Sequence, residues 1–162
     1  MRKLLIVSML TILFSLLSLT SNAQTTPTSF SVHGGYSWLN GVVGAELQAG
    51  CFGISGGWMP TTMPISGDKV NSYGFAVSLY SGPPSETISY YLSGGIASDG
   101  YQYEDSYGYG KTEAVTIIMA GTKYNFNSFY AKLGLGYGFC SEADSFTFEA
   151  TIGIPLFKNY NK

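Results

Sequence analysis

Charge is the scarcest commodity in this 162-residue chain. Only 11% of its residues are Asp, Glu, Lys or Arg, against about a quarter in an ordinary soluble domain. Arginine occurs once, at Arg2, and histidine once, at His33. A nucleic-acid binder needs a stripe of Lys and Arg, so that class is excluded. With one histidine, any Ser–His nucleophile or histidine-bearing metal centre has to include His33. After the first two dozen positions no run of about 20 apolar residues occurs, which excludes a helical membrane protein. Disordered chains combine high charge with few aromatics, and here 15% of residues are aromatic. What the chain does carry is 45% hydrophobic residues, 21 glycines and 13 tyrosines.

Residues 1–23 read as a cleaved secretory signal peptide. Arg2 and Lys3 form the positive start, Leu4–Leu19 the apolar core, and Ser21-Asn22-Ala23 a small-residue cleavage site before Gln24. Without this leader the remaining cations are six lysines, set against ten acids. By length the rest is one domain. Residues 24–28 are a short lead, 29–158 the folded domain and 159–162 a tail.

From Ser29 onward the dominant signal is strict alternation, the period of a β-strand with unlike faces. Phe146, Phe148, Ala150, Ile152, Ile154 and Leu156 share one face, with Thr147, Glu149, Thr151 and Gly153 on the other. The run from Phe129 to Phe139 repeats the arrangement, with glycines and Lys132 opposite the large residues. Eight such runs can be counted, over 29–39, 42–49, 52–59, 73–81, 86–98, 113–126, 129–140 and 145–157. Turn residues keep both faces in phase. Asn40-Gly41 predicts a type I′ hairpin that sets Val43 opposite Trp38 and Gln48 opposite His33. Gly50-Cys51 pairs Leu47 with Ile54, and Gly82-Pro83-Pro84-Ser85 pairs Leu79 with Ile88. Asn127-Ser128 pairs Lys123 with Lys132. All prolines except Pro155 fall outside the predicted strands. Tight turns follow the even-numbered runs, and the two long connections follow odd-numbered ones.

Short turns on one rim and longer loops on the other, with an aromatic-bearing last strand from Phe146-Thr147-Phe148 to Leu156-Phe157, resemble the small eight-stranded bacterial outer-membrane β-barrel family. The resemblance is architectural and carries no motif specific to one function. It implies an all-β, eight-stranded antiparallel up-and-down transmembrane barrel in the bacterial outer membrane. It also implies the lipid bilayer and the barrel-assembly machinery as partners; the role expected from the residues is structural or surface-interaction, not enzymatic.

In that arrangement the apolar faces point to lipid and the small polar faces inward. Trp38, Trp58 and Tyr73 are expected in an interfacial aromatic belt on the loop rim, with Phe126 and Phe129 on the turn rim. His33, Glu46, Gln48, Lys123, Lys132 and Glu149 are expected to form an interior polar network. Lys123 opposite Lys132 costs stability unless a carboxylate or water lies between them. Eight strands leave an interior only wide enough for side chains, so it reads as a plug rather than a pore. No charge falls on the predicted outward face. The stretch 99–112 predicts a tyrosine-faced hairpin pairing Tyr103 with Tyr107 and Tyr101 with Tyr109, a surface suited to an extracellular protein or glycan.

No cofactor and no metal site is indicated. Two other readings remain at this point. A secreted soluble barrel would bind a small apolar ligand along Val115, Ile117 and Met119, facing Gly138, Gly136 and Gly134. A lipid-modifying outer-membrane enzyme would use His33, although in such enzymes the catalytic histidine lies near the loop rim or facing lipid. Cys51 and Cys140 fall on opposite rims, across a hydrocarbon layer of about 30 Å. Bridged cysteines need Cα atoms within about 7 Å, so no disulfide is expected between them.

Overall fold

A computed structural model describes residues 26–62, 69–104, 110–139 and 145–160. Its elements are β1 (Thr28–Tyr36), β2 (Val43–Ala49), β3 (Phe52–Thr62), β4 (Lys69–Tyr80), β5 (Ile88–Glu104), β6 (Gly110–Asn125), β7 (Tyr130–Phe139) and β8 (Ser145–Asn159). Each strand pairs antiparallel with its neighbours, and β8 closes back on β1 to complete a barrel in simple chain order. The predicted all-β, eight-stranded antiparallel up-and-down barrel is the observed fold. Closure removes every free sheet edge along the shared height of the wall. The predicted leader, the lead up to Thr25, and the last two tail residues lie outside the described residues.

Alternation sets the two faces as expected. Ser29, Ser31 and His33 on β1 are buried in the interior, while Phe30 and Val32 between them are exposed on the outer wall. On β8 Thr147, Glu149 and Thr151 point in, and Phe146, Phe148 and Ile152 point out.

Three registers differ from the turn-based expectation, always by an even number of residues. β1 and β2 pair with His33 opposite Gly44, Ser31 opposite Glu46 and Ser29 opposite Gln48. That displaces the Asn40-Gly41 hairpin by four residues. Between β4 and β5, Leu79 faces Leu92 and Ser78 faces Ser93, again four residues away, so the connection is a wider turn over Ser81–Thr87. There Ser81 N donates to Tyr90 O (2.8 Å), and its hydroxyl accepts from Tyr90 N (3.0 Å). Between β5 and β6, Asp99 faces Glu113, and after a register shift Tyr103 faces Lys111. The expected Tyr103–Tyr107 pair is therefore not formed, and Tyr101 lies within the shift. An even slip leaves every side chain on its original face, so the alternation is blind to all three.

The β2–β3 and β6–β7 registers are as predicted, including Leu47 with Ile54 and Lys123 with Lys132. Pro60 lies inside β3 opposite Asn71, because β3 and β4 continue as a two-stranded ribbon above their neighbours. Pro155 sits in β8 where the pairing with β1 shifts register between Phe30 and Ser31, the bulge that a residue without an N–H favours. The wall is uneven: β2 has seven residues and β5 seventeen.

Candidate functional site

Four buried charged side chains meet in the interior: Glu46, Lys123, Lys132 and Glu149. Glu46 accepts from both lysines, with Lys123 Nζ on its Oε1 and Lys132 Nζ 3.1 Å from its Oε2. A carboxylate thus lies between the two cations that β6 and β7 set opposite each other. Lys132 also stands 3.7 Å from Glu149 Oε1. Lys123 donates to Gln48 Oε1 at 2.9 Å, and Gln48 Nε2 donates to Gly50 O at 3.0 Å near the turn rim. Two carboxylates therefore meet two ammonium groups, and the cluster is neutral. Each carboxylate also takes a tyrosine hydroxyl: Tyr80 to Glu46 at 2.8 Å and Tyr91 to Glu149 at 2.6 Å.

The tyrosine rings complete the desolvated site. Lys123 Nζ lies 4.3 Å from the Tyr130 ring centroid and Lys132 Nζ 4.5 Å from that of Tyr91, within the range of a cation–π attraction. Glycines on adjoining or next-nearest strands make room for these rings. A Cβ at Gly153 would fall 2.2 Å from Tyr130, one at Gly53 2.8 Å from Tyr80, and one at Gly134 2.2 Å from the Tyr91 hydroxyl. This is the physical use of a composition rich in both Gly and Tyr: rings fill a narrow lumen where the facing strand has no side chain.

Above the charged cluster, the β1–β2 connection turns inward. Ser37, Leu39 and Asn40 are buried, Leu39 with no exposed surface at all. Leu39 packs with Ala76, Ala97, Val115, Ile117 and Met119, and Trp38 lies against that group. Asn40 Nδ2 donates to Glu149 Oε1 (2.6 Å), its Oδ1 accepts from Ser55 Oγ (2.6 Å), and its carbonyl faces His33 Nε2 (3.1 Å). The inward segment lies against a cradle of glycines. A Cβ at Gly57 would sit 1.7 Å from Asn40 O, and one at Gly74 2.1 Å from Leu39 O. Gly41 itself adopts φ +70°, a left-handed conformation that glycine reaches without strain. We expect Gly57→Ala to displace this segment and lower stability by about 1–3 kcal/mol, as overpacking does. Urea unfolding of the detergent-folded protein measures this.

Several expectations change here. Trp38 does not join the outer belt, because the four-residue register difference carries it past the end of β1 and into the lumen. His33 sits beneath Asn40 and opposite Gly44 rather than opposite Gln48. Leu39 packs into one buried cluster with the apolar residues Val115, Ile117 and Met119, on the side of the lumen that the soluble-barrel reading gave to a ligand. Ile117 faces Gly138 and Met119 faces Gly136, as the Asn127-Ser128 turn requires and two residues from the pairing given for the ligand-binding alternative. No sequence motif marks the inward turn. The signal that could have revealed it is the run of inward glycines Gly44, Gly57, Gly74 and Gly95 on four successive strands, a vacancy needing an occupant.

Trp58 and Tyr73 face each other across β3 and β4 with exposed rings, and Trp58 Nε1 donates to Asn71 Oδ1 at 2.9 Å. Phe126 and Phe129 stack at 4.4 Å on the turn rim. Further aromatic pairs add to the wall: Tyr36 stacks on Phe148 (4.6 Å), and Tyr137 meets Phe139 and Phe146 edge-on. Lys158 Nζ donates to Asn127 O (2.8 Å), tying the end of β8 to the β6–β7 turn. β5 and β6 continue beyond the wall toward Glu104 and Gly110, which places the Tyr101 and Tyr103 backbones on that extension. Tyr107, Tyr109 and Cys140 lie outside the described residues, and Cys51 is an exposed free thiol on the turn rim. Among the described residues no group of three or more His, Cys, Asp or Glu is arranged to hold a metal.

No protein-family model matches the sequence, and no curated protein matches it at a significant level. Among solved structures, the chain is similar to the N-terminal β-barrel domain of Pseudomonas aeruginosa OprF, with a TM-score of 0.55 and 16% sequence identity. The similarity covers 82% of this chain and 98% of that one. At that identity the likeness concerns the fold: this chain has the architecture of that eight-stranded barrel.

Proposed function

We propose that this chain is an outer-membrane β-barrel, exported by its N-terminal leader, with a closed interior and a structural or surface-interaction role. The observation that supports this most is the inversion of polarity. Leu135 is 76% exposed and Phe146 87%, while Glu46, Lys123, Lys132 and Glu149 are each at most 2% exposed. A soluble domain almost never fully buries such charges while its large apolar residues face water. A barrel in hydrocarbon needs that arrangement, since lipid is then the solvent of the outer face. The aromatic pairs on both rims suit the two interfaces. The N- and C-terminal ends of β1 and β8 fall on the turn rim, and the β5–β6 extension rises from the other.

On this reading the partners are the bilayer and the barrel-assembly machinery, and the tyrosine-bearing extension offers a surface for an extracellular protein or glycan. The chain is read as a non-enzyme because its only histidine is committed within the wall. Its Nε2 faces Asn40 O and its Nδ1 lies 3.5 Å from the Tyr130 hydroxyl. The test is cell fractionation followed by gel migration with and without boiling. Recovery in the outer membrane, extraction only by detergent, and faster migration of the unheated sample are expected. Recovery from the soluble periplasm without detergent would overturn the reading.

A further inference from the structure

We propose that His33 is a proton-binding site served from the turn rim, through water held in the lower lumen beside the Tyr130 hydroxyl. The inference stands on the interior alone and does not depend on whether the barrel spans a bilayer.

His33, Gly153 and Tyr130 lie at one level of the wall, because β8 pairs Gly153 with both of the others. Gly153 offers no side chain, so the Tyr130 ring lies over it, and the hydroxyl comes within 3.5 Å of His33 Nδ1. Ser31 Oγ is also 3.5 Å from that hydroxyl. A working O–H hydrogen bond measures about 2.5–3.0 Å, so neither contact satisfies a tyrosine that is only 3% exposed. Buried hydroxyls are nearly always bonded, and gaps of this length are the ones that water bridges. Room for it exists on the turn side. Ser29, Ser31, Asn125, Tyr130 and Lys158 border a cavity of about 10 Å³, the space of a single water. Ser29 faces Lys158 at the rim, and Ser31 lies further in.

The imidazole meets this water with the right nitrogen. Its Nε2 lies 3.1 Å from Asn40 O, and a carbonyl can only accept, so Nε2 carries the proton and Nδ1 has the free lone pair. A hydronium ion in the cavity gives up a proton, the Tyr130 hydroxyl accepts it while passing its own on, and Nδ1 takes the last. The products are water, a neutral tyrosine and an imidazolium whose Nε2–H still donates to Asn40 O. The titratable groups around the ring are Tyr130 and Lys132 on β7, Glu46 on β2 and Glu149 on β8. On the loop side Asn40 and the apolar Leu39 cluster stand over the ring, so the turn side supplies the proton.

The test uses the full chain, isotope-labelled and refolded in lipid vesicles, read by transfer of magnetisation from water in solid-state NMR. The single histidine gives one set of ring signals. Rapid transfer to the His33 ring is expected, at mixing times when Ile117, fully buried in the apolar cluster, receives none. Its nitrogen signals should also shift from neutral to imidazolium positions as the buffer is acidified. Ser29→Leu, which fills the turn-side cavity, and Tyr130→Phe, which removes the hydroxyl, should each abolish the rapid transfer. The fast-migrating unheated band shows that a variant is folded, and if one is not, the other decides. A parent His33 ring as slow as Ile117 would overturn the water, and a ring that stays neutral until that band is lost would overturn the proton site. Rapid transfer that survives Ser29→Leu would overturn the turn-side route, and survival in Tyr130→Phe would overturn the hydroxyl's part in it.

Discussion

Glu46→Gln is expected to be the most damaging single substitution in the lumen, at about 3–5 kcal/mol, the cost of removing one partner from a buried ion pair. Glu46 is the group that separates Lys123 from Lys132. Glutamine keeps the volume but not the charge, leaving two facing ammonium groups in a dry interior. The lysines are not equivalent afterwards. Lys132 retains the Glu149 carboxylate at 3.7 Å, whereas Lys123 retains no carboxylate, only the neutral Gln48 at 2.9 Å and the Tyr130 ring. Adding Lys123→Met to Glu46→Gln should therefore recover most of the loss, while adding Lys132→Met should recover less, because it takes from Glu149 its neighbouring cation. Urea unfolding in lipid vesicles reads all three. A Glu46→Gln protein within about 1 kcal/mol of the parent would contradict the assigned role, since surface pairs have that value.

The second large effect belongs to the outer wall. Leu135 lies near the middle of β7, and 76% of its surface faces outward. Leu135→Arg is expected to cost about 2–4 kcal/mol in a bilayer, as charged residues do on the lipid face of a barrel near the midplane. In water the same change at so exposed a position would fall within about 0.5 kcal/mol of neutral. Asn127→Arg, in the β6–β7 turn, is the control that should stay near neutral. The pair of variants thus measures which solvent the outer wall meets, independently of fractionation.

Much of this molecule is legible in its sequence, for a reason that can be traced to individual residues. Phe148 and Glu149 are adjacent and cannot share a face of a strand. Repeating that constraint along eight runs places Glu46, Gln48, Lys123, Lys132, Glu149 and His33 on the inner side before any coordinates are known. The β2–β3 and β6–β7 registers were also legible, because Gly50-Cys51 and Asn127-Ser128 join their strands by two-residue connections that leave little freedom. Asn40-Gly41 misleads by the same logic. It has the composition of a hairpin turn, but its glycine supplies a positive φ to an inward fold rather than to a strand reversal. The Gly82–Ser85 turn misleads more mildly, since the prolines occupy part of a longer connection.

By itself, then, the sequence determined the fold class, the strand count and the side of the wall on which each residue lies. All three follow from a period of two and from where glycine and proline interrupt it. Tertiary structure alone decided the even-numbered register offsets, which leave that period unchanged. It also decided which carboxylate serves which lysine, because residues 77 positions apart meet only once the barrel closes. The inward course of Ser37–Val42 was decided the same way. A vacancy made by four glycines on four strands is a property of their assembled volume, and no single stretch of sequence contains it.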